Sequence, residues 1–195
     1  DFNWEASLTF AHNRQTIDRL SNQVFQTEDI PSGSLHNLRG MSNQYAQIIK
    51  EGYPVGSFWG PECEGLDSLG RYIFSNDGES GYLGSVQPDF TIGFGTFLRY
   101  KMLDVEISAY GMFGQHVLNA TAMSLSDPNR LPAQNVPDSF LESGIEDDPT
   151  FSSLWVEDAS FFRIQTVSVG YTMSIRKIGI DRMRFYVTGE NLYVF

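Results

Sequence analysis

The sequence has little to cross-link with, little positive charge and no long apolar run. Cys63 is its only cysteine, which excludes an internal disulfide and a cysteine-based metal cluster. Lys and Arg number 13 against 24 Asp and Glu, a formal net charge of -11 at pH 7. Phosphate binding needs clustered cations, so a nucleic-acid partner is excluded. No segment reaches the run of about eighteen apolar residues that a membrane helix needs. That leaves a membrane β-barrel open, because a barrel strand needs only about ten residues with every second one apolar. Serine nucleophile elbows, glycine-rich phosphate loops and HExxH are also missing, so no catalytic residue, cofactor or metal site is expected. His12, His36 and His116 lie far apart in the chain. The chain opens on Asp1, without a signal peptide, and stops at Phe195 inside a strand-like run, so it reads as a fragment.

What is present suits strands and turns: fifteen Phe, nine Tyr and eighteen Gly in 195 residues. Period-two alternation is the main signal. Trp4, Ala6, Leu8 and Phe10 alternate with Glu5, Ser7 and Thr9. Phe90, Ile92, Phe94, Leu98 and Tyr100 oppose Thr91, Gly93, Gly95 and Arg99, with Phe97 out of pattern. Leu103, Val105, Ile107 and Ala109 alternate with Asp104, Glu106, Ser108 and Tyr110. The same holds for Val167, Val169, Tyr171 and Met173 against Thr166, Ser168 and Thr172. It holds again for Met183, Phe185 and Val187 against Arg184, Tyr186, Thr188 and Glu190. A weaker pattern over Val55 to Cys63 adds a strand, for about six in all, with no convincing helix. Asn13 to Gly52 reads as turn and irregular structure, within which Tyr45 to Lys50 is a strand or a helical turn.

The connections choose between architectures. Tyr100 to Leu103 leaves room only for a tight turn, and Ser174 to Asp181, containing Gly179, is short. Leu66 to Asp89 and Gln115 to Glu157 are long and polar. Short turns alternating with long loops are the habit of outer-membrane barrels and unusual in a compact soluble domain. The expected fold is therefore all-β, an antiparallel transmembrane β-barrel segment. About six strands cannot close a lipid-facing barrel, whose lower bound is about eight. The rival is a soluble β-sandwich that binds carbohydrate on an aromatic platform from Trp59, Trp155 or Tyr110.

Three further pieces lie in order along the chain: Gly52-Tyr53-Pro54-Val55-Gly56-Ser57-Phe58-Trp59-Gly60, then Pro88-Asp89-Phe90-Thr91-Ile92-Gly93-Phe94 with Arg99-Tyr100-Lys101, then Trp155 to Ile164 running into Val167-Ser168-Val169-Gly170-Tyr171-Thr172. The chain ends on Val187-Thr188-Gly189-Glu190-Asn191-Leu192-Tyr193. In this order and spacing they resemble the C-terminal barrel region of the SusC/RagA family of TonB-dependent outer-membrane transporters. The resemblance implies a barrel of roughly twenty-two strands with a plugged lumen. It implies residues 1–195 as one piece of barrel, with the plug domain and the final strand absent. It further implies TonB-energised import of oligosaccharides or peptides through the outer membrane of a Gram-negative bacterium, with a SusD-like surface lipoprotein and the TonB complex as partners of the complete protein.

Candidate lumen-lining residues are Arg99, Asp104, Glu106, Ser108, Tyr110, Arg184, Tyr186 and Glu190. Asp104 and Glu106 share a strand face and so could mimic a glycosidase carboxylate pair, but two acids on a polar wall meet that spacing by accident. Glu142, Glu146, Asp147, Asp148, Glu157 and Asp158 offer oxygen ligands for Ca²⁺, yet without EF-hand spacing they read better as a solvated loop.

Overall fold

The computed structural model describes residues 2–38, 41–175 and 180–195. In chain order the strands are β1 (Phe2–His12), β2 (Asp29–Ser34), β3 (Tyr45–Lys50), β4 (Ser57–Pro61), β5 (Cys63–Leu66), β6 (Tyr72–Phe74), β7 (Ser80–Ser85), β8 (Phe90–Tyr100), β9 (Leu103–Phe113), β10 (His116–Leu118), β11 (Val156–Asp158), β12 (Phe161–Ile175) and β13 (Ile180–Val194). Two six-residue helices, α1 (Ala120–Leu125) and α2 (Asp138–Ser143), lie between β10 and β11. The chain divides into two compact units. The first is residues 1–13, 88–114 and 160–195; the second is residues 14–87 and 115–159.

The first unit is one antiparallel sheet, ordered β1-β8-β9-β12-β13. Its register decides which side chains share a face. Trp4, Leu98, Val105, Val169 and Val187 form one row across all five strands. The next row is Ala6, Thr96, Ile107, Val167 and Gly189, and Leu8, Phe94, Ala109 and Ile164 follow. Between these rows, on the other face, run Glu5, Phe97, Glu106, Ser168 and Thr188, then Ser7, Gly95, Ser108, Thr166 and Glu190. From the Phe2/Tyr100 row to the Phe10/Ile92 row, every charged side chain falls on this second face. The apolar face lies open: Leu8 is 70 % exposed, Trp4 63 % and Val187 78 %. A sandwich would bury such a face against a second sheet. Strands of 11 to 15 residues also match what crosses a bilayer at a tilt, about 9–11 residues.

The connections alternate as expected. Tyr100 pairs with Leu103, so β8 and β9 join through Lys101 and Met102 alone, with Lys101 at φ 55°. The long connections β1–β8 and β9–β12 leave from the opposite end. In the expected turn from Ser174 to Asp181, residues 176–179, Gly179 included, lie outside the described residues.

The sheet has five strands rather than about six. Val55 to Cys63 belongs elsewhere: its core, Ser57–Pro61, is β4 of a four-stranded sheet ordered β2-β3-β4-β7 in the second unit. This sheet, the hairpin β5–β6, the pair β10–β11 and the helices enclose a core of their own. Leu35, Met41, Ala46, Phe58, Met123, Phe140, Ile145, Phe151 and Trp155 are buried there. The segments read as polar loops and irregular structure are thus a folded module. Tyr45–Lys50 is a strand paired on both sides by β2 and β4. β2 escaped notice because Pro31 and Gly33 break strand propensity. Both are tolerated because β2 is an edge strand. The two helices, too short to show a 3.6-residue period, escaped for that reason. Asn119 caps α1 by accepting from the Ala122 N–H at 2.9 Å, and Gly144 at φ 74° ends α2.

Candidate functional site

Arg99, Asp104, Glu106, Ser108, Tyr110, Arg184, Tyr186 and Glu190 all fall on the polar face of the five-stranded sheet. Alternation within each strand put each residue on its face; the pairing of strands brings the faces together. Arg184 on β13 reaches Asp104 on β9 across the intervening β12, its Nε and Nη2 donating to the two carboxylate oxygens at 3.2 and 2.5 Å. Gly170 makes this possible. It sits on β12 between the two, in the same row as Asp104, and a Cβ there would meet Asp104 Oδ2 and the Arg184 guanidinium at 2.5–2.7 Å. Asp104 is only 4 % exposed, shielded by its partner. With both oxygens engaged by one guanidinium, Asp104 is half of an ion pair rather than a free partner for Glu106 in a glycosidase-like carboxyl pair.

Beside this pair the face is notched. Gly95 on β8 carries no side chain, and around it Glu5, Ser7, Phe97, Glu106 and Ser108 line a shallow depression of about 290 Å³. Phe97, the apolar intruder on the polar face, is covered by the Arg99 guanidinium at 5.4 Å from its ring centroid. Arg163 and Arg184 cover Phe161 and Tyr186 at 5.1 Å in the same way. Thr188 donates to Ser168 at 2.9 Å. Glu5 and Ser7 were missing from the expected set. Their alternation was visible, but the pairing of β1 with β8, about ninety residues apart in sequence, was not.

Of the aromatics named for the rival reading's platform, Trp155 is withdrawn from the surface. Trp155 is buried in the core of the second unit, its indole N–H donating to the Thr150 carbonyl at 3.0 Å. Tyr110 stands on the sheet of the first unit, and Trp59 belongs to the second. Of the acidic residues considered for calcium, Asp148 accepts from Asn129 at 2.7 Å and Glu157 accepts from Asn119 at 2.9 Å. No group of three or more metal-binding side chains gathers among the described residues.

Two groups in the second unit have displaced acidities. Burial pushes the Tyr72 hydroxyl up to about 12, and the charges of Cys63 and Asp147 add to it. The Thr150 N–H opposes this slightly without reaching bonding geometry, so the hydroxyl has no hydrogen-bond partner. Asp67 is held below its usual value, chiefly by the backbone N–H of Arg71, which donates to it at 2.9 Å.

A sheet with one apolar face, one charged and notched face and a tight turn between β8 and β9 has the architecture of a segment of an antiparallel β-barrel. No protein-family model matches the chain. Two TonB-dependent receptors of Formosa agariphila, P3 and P26, are 26 % and 27 % identical to it over its full length. The chain spans less than a quarter of these relatives, 22 % and 23 % of their lengths. Its fold matches the solved RagAB peptide transporter with a TM-score of 0.78 at 23 % identity, covering the whole chain and 23 % of that one. The RagAB peptide importer in its closed-closed state gives 0.76 at 22 % identity, again over the whole chain and over 24 % of that one. The chain is thus similar along its entire length to TonB-dependent receptors and shares its fold with part of the RagAB peptide transporter.

Proposed function

We propose that this chain forms part of the barrel wall and the external loops of a nutrient importer in the outer membrane of a Gram-negative bacterium. The observation that carries this reading is the two-faced sheet, apolar and uncovered on one side, with all its paired-row charges on the other. In lipid that exposure is stabilising; in water it would be an apolar patch larger than monomers tolerate. The apolar face meets acyl chains. Arg99, Asp104, Glu106, Ser108, Tyr110, Arg184, Tyr186 and Glu190 face the lumen and do no covalent chemistry. In the complete protein the other barrel strands, a final strand among them, close the wall around a plug. Import of an oligosaccharide or peptide is energised through TonB, and a SusD-like surface lipoprotein shares in capturing substrate. Relatives that are receptors, and a fold shared with a peptide transporter, support the transport reading.

Two adjacent residues test the orientation. Ile107 sits in the middle apolar row and Ser108 on the opposite face. An arginine at mid-bilayer costs about 2–4 kcal/mol, whereas a lumen position stays wet. In the full-length protein, Ile107→Arg lowers the yield of heat-modifiable, membrane-fractionated barrel, and Ser108→Arg leaves that yield intact while altering uptake. Equal yields for the two variants would sink the reading.

A further inference from the structure

The second unit carries an aromatic cluster that its core does not use. Trp59 on β4 pairs with Tyr82 on β7. Tyr53, just beyond β3, lies over both, its ring centroid 5.1 Å from Trp59 and 5.3 Å from Tyr82. None of the three belongs to the buried core cluster. Tyr82 remains 45 % exposed, and Tyr53 and Trp59 are half-buried. The Lys50 ammonium is seated over the Trp59 ring, 4.7 Å from its centroid.

The polar groups around these rings are donors. The Trp59 indole N–H, the Tyr53 hydroxyl and the Lys50 ammonium make no hydrogen bond to any described residue. Glu51, next to Lys50 in the chain, is turned to the backbone N–H groups of Leu20 and Ser21, at 2.6 and 3.4 Å, and Asp29, opposite Lys50 in the β2–β3 ladder, makes no direct ion pair with it. Half-exposed ring faces take the C–H face of a pyranose or another flat apolar group, and uncommitted donors call for acceptors. A held ammonium beside them calls for an anion. The second unit as a whole carries seventeen acidic and six basic residues, which would repel an anion from afar. That repulsion is screened beyond about 8 Å at physiological salt, which leaves the nearby Asp29 and Glu51 as the charges Lys50 has to outweigh at contact.

We propose that Lys50, Tyr53, Trp59 and Tyr82 form a binding subsite for acidic saccharides, stacking a sugar ring on the aromatic cluster and pairing its carboxylate with Lys50. The subsite rests on the reading of the second unit as external loops, and it narrows the substrate to sugars bearing acid groups.

The experiment is calorimetric titration of the full-length receptor in detergent with a galacturonate tetramer, its methyl ester and a tetraglutamate peptide. The acid tetramer binds at least ten-fold more tightly than the ester. Lys50→Gln brings the acid tetramer down to the affinity of the ester and leaves the ester unchanged, and Tyr82→Ala weakens both. Equal affinity for acid and ester, no binding of either, tetraglutamate binding as tightly as the acid tetramer, or an acid preference that survives Lys50→Gln overturns the subsite. Correct membrane assembly of Lys50→Gln, checked by heat modifiability, shows that any of these failures belongs to the subsite and not to the barrel.

Discussion

Gly170 shows how much one missing side chain decides. Its neighbours in the row are Asp104 and Tyr186, and the space above it is filled by the Asp104–Arg184 pair. Gly170→Ala would place a methyl group where the guanidinium lies. The flexible arginine would give way and the pair would part, leaving a well-shielded carboxylate unpaired. The expected outcome is a lower denaturation midpoint for the full-length barrel in urea. In an Arg184→Met background the same Gly170→Ala change costs little, because the displaced group is already gone. An equal loss in both backgrounds would mean that the alanine acts through the backbone of β12 and not through the ion pair.

Among the elements, the hairpin β5–β6 has its pH response written into its turn and the strand residue that follows it. Tyr72, on β6, packs against the core of the second unit with its hydroxyl pushed up to about 12. A raised value means that folding favours the neutral phenol. That contribution is complete below the ordinary tyrosine value of about 10 and is lost as the pH climbs towards 12. Asp67, in the turn between the strands, is held below its usual value, so its contribution is present above the ordinary carboxylate value of about 4 and is lost only in stronger acid. Alkali should therefore loosen β6 while mild acid leaves the turn intact. In Tyr72→Phe, which removes a buried hydroxyl without a partner, limited proteolysis of the hairpin no longer accelerates between pH 10 and 12. A mutant that loosens with the same alkaline profile as the wild type would place the response elsewhere.

For the whole molecule, the division into two units also divides the charge. The first unit holds seven basic and seven acidic residues, and the second holds six and seventeen, so the net -11 resides in the second. The two units draw stability from different sources as well. On the proposed reading the sheet has lipid against its open face, whereas the second unit has a packed interior in which the Phe151 ring lies against the backbone of Gly60. Phe151→Ala, at 4 % exposure, should cost the second unit about 3–5 kcal/mol. The measurement is proteolysis of the full-length receptor in detergent. Cleavage within residues 14–87 and 115–159 should become faster while the heat-modifiable band of the barrel is unchanged. Simultaneous loss of both would show the units to be one cooperative block.

Which residues of the sheet share a face was legible in the chain. Trp4 to Phe10, Phe90 to Tyr100, Leu103 to Ala109 and Met183 to Glu190 alternate because neighbouring side chains of a strand point to opposite sides, a local property of the extended backbone. The short turn at Lys101 and the length of the other connections were equally local. What the chain could not disclose was everything that depends on partners distant in sequence. Ser57–Pro61 looked like one more barrel strand because a strand carries no mark of the sheet it will join. Met123, Phe140, Phe151 and Trp155 fall in what reads as one long polar connection, and their core exists only once two inserted segments meet. The reach of Arg184 over Gly170 to Asp104, the notch beside Glu5, and the meeting of Tyr53, Trp59 and Tyr82 are likewise products of register and packing. Alternation is dictated residue by residue along the backbone, whereas pairing and burial are settled only when the chain closes on itself.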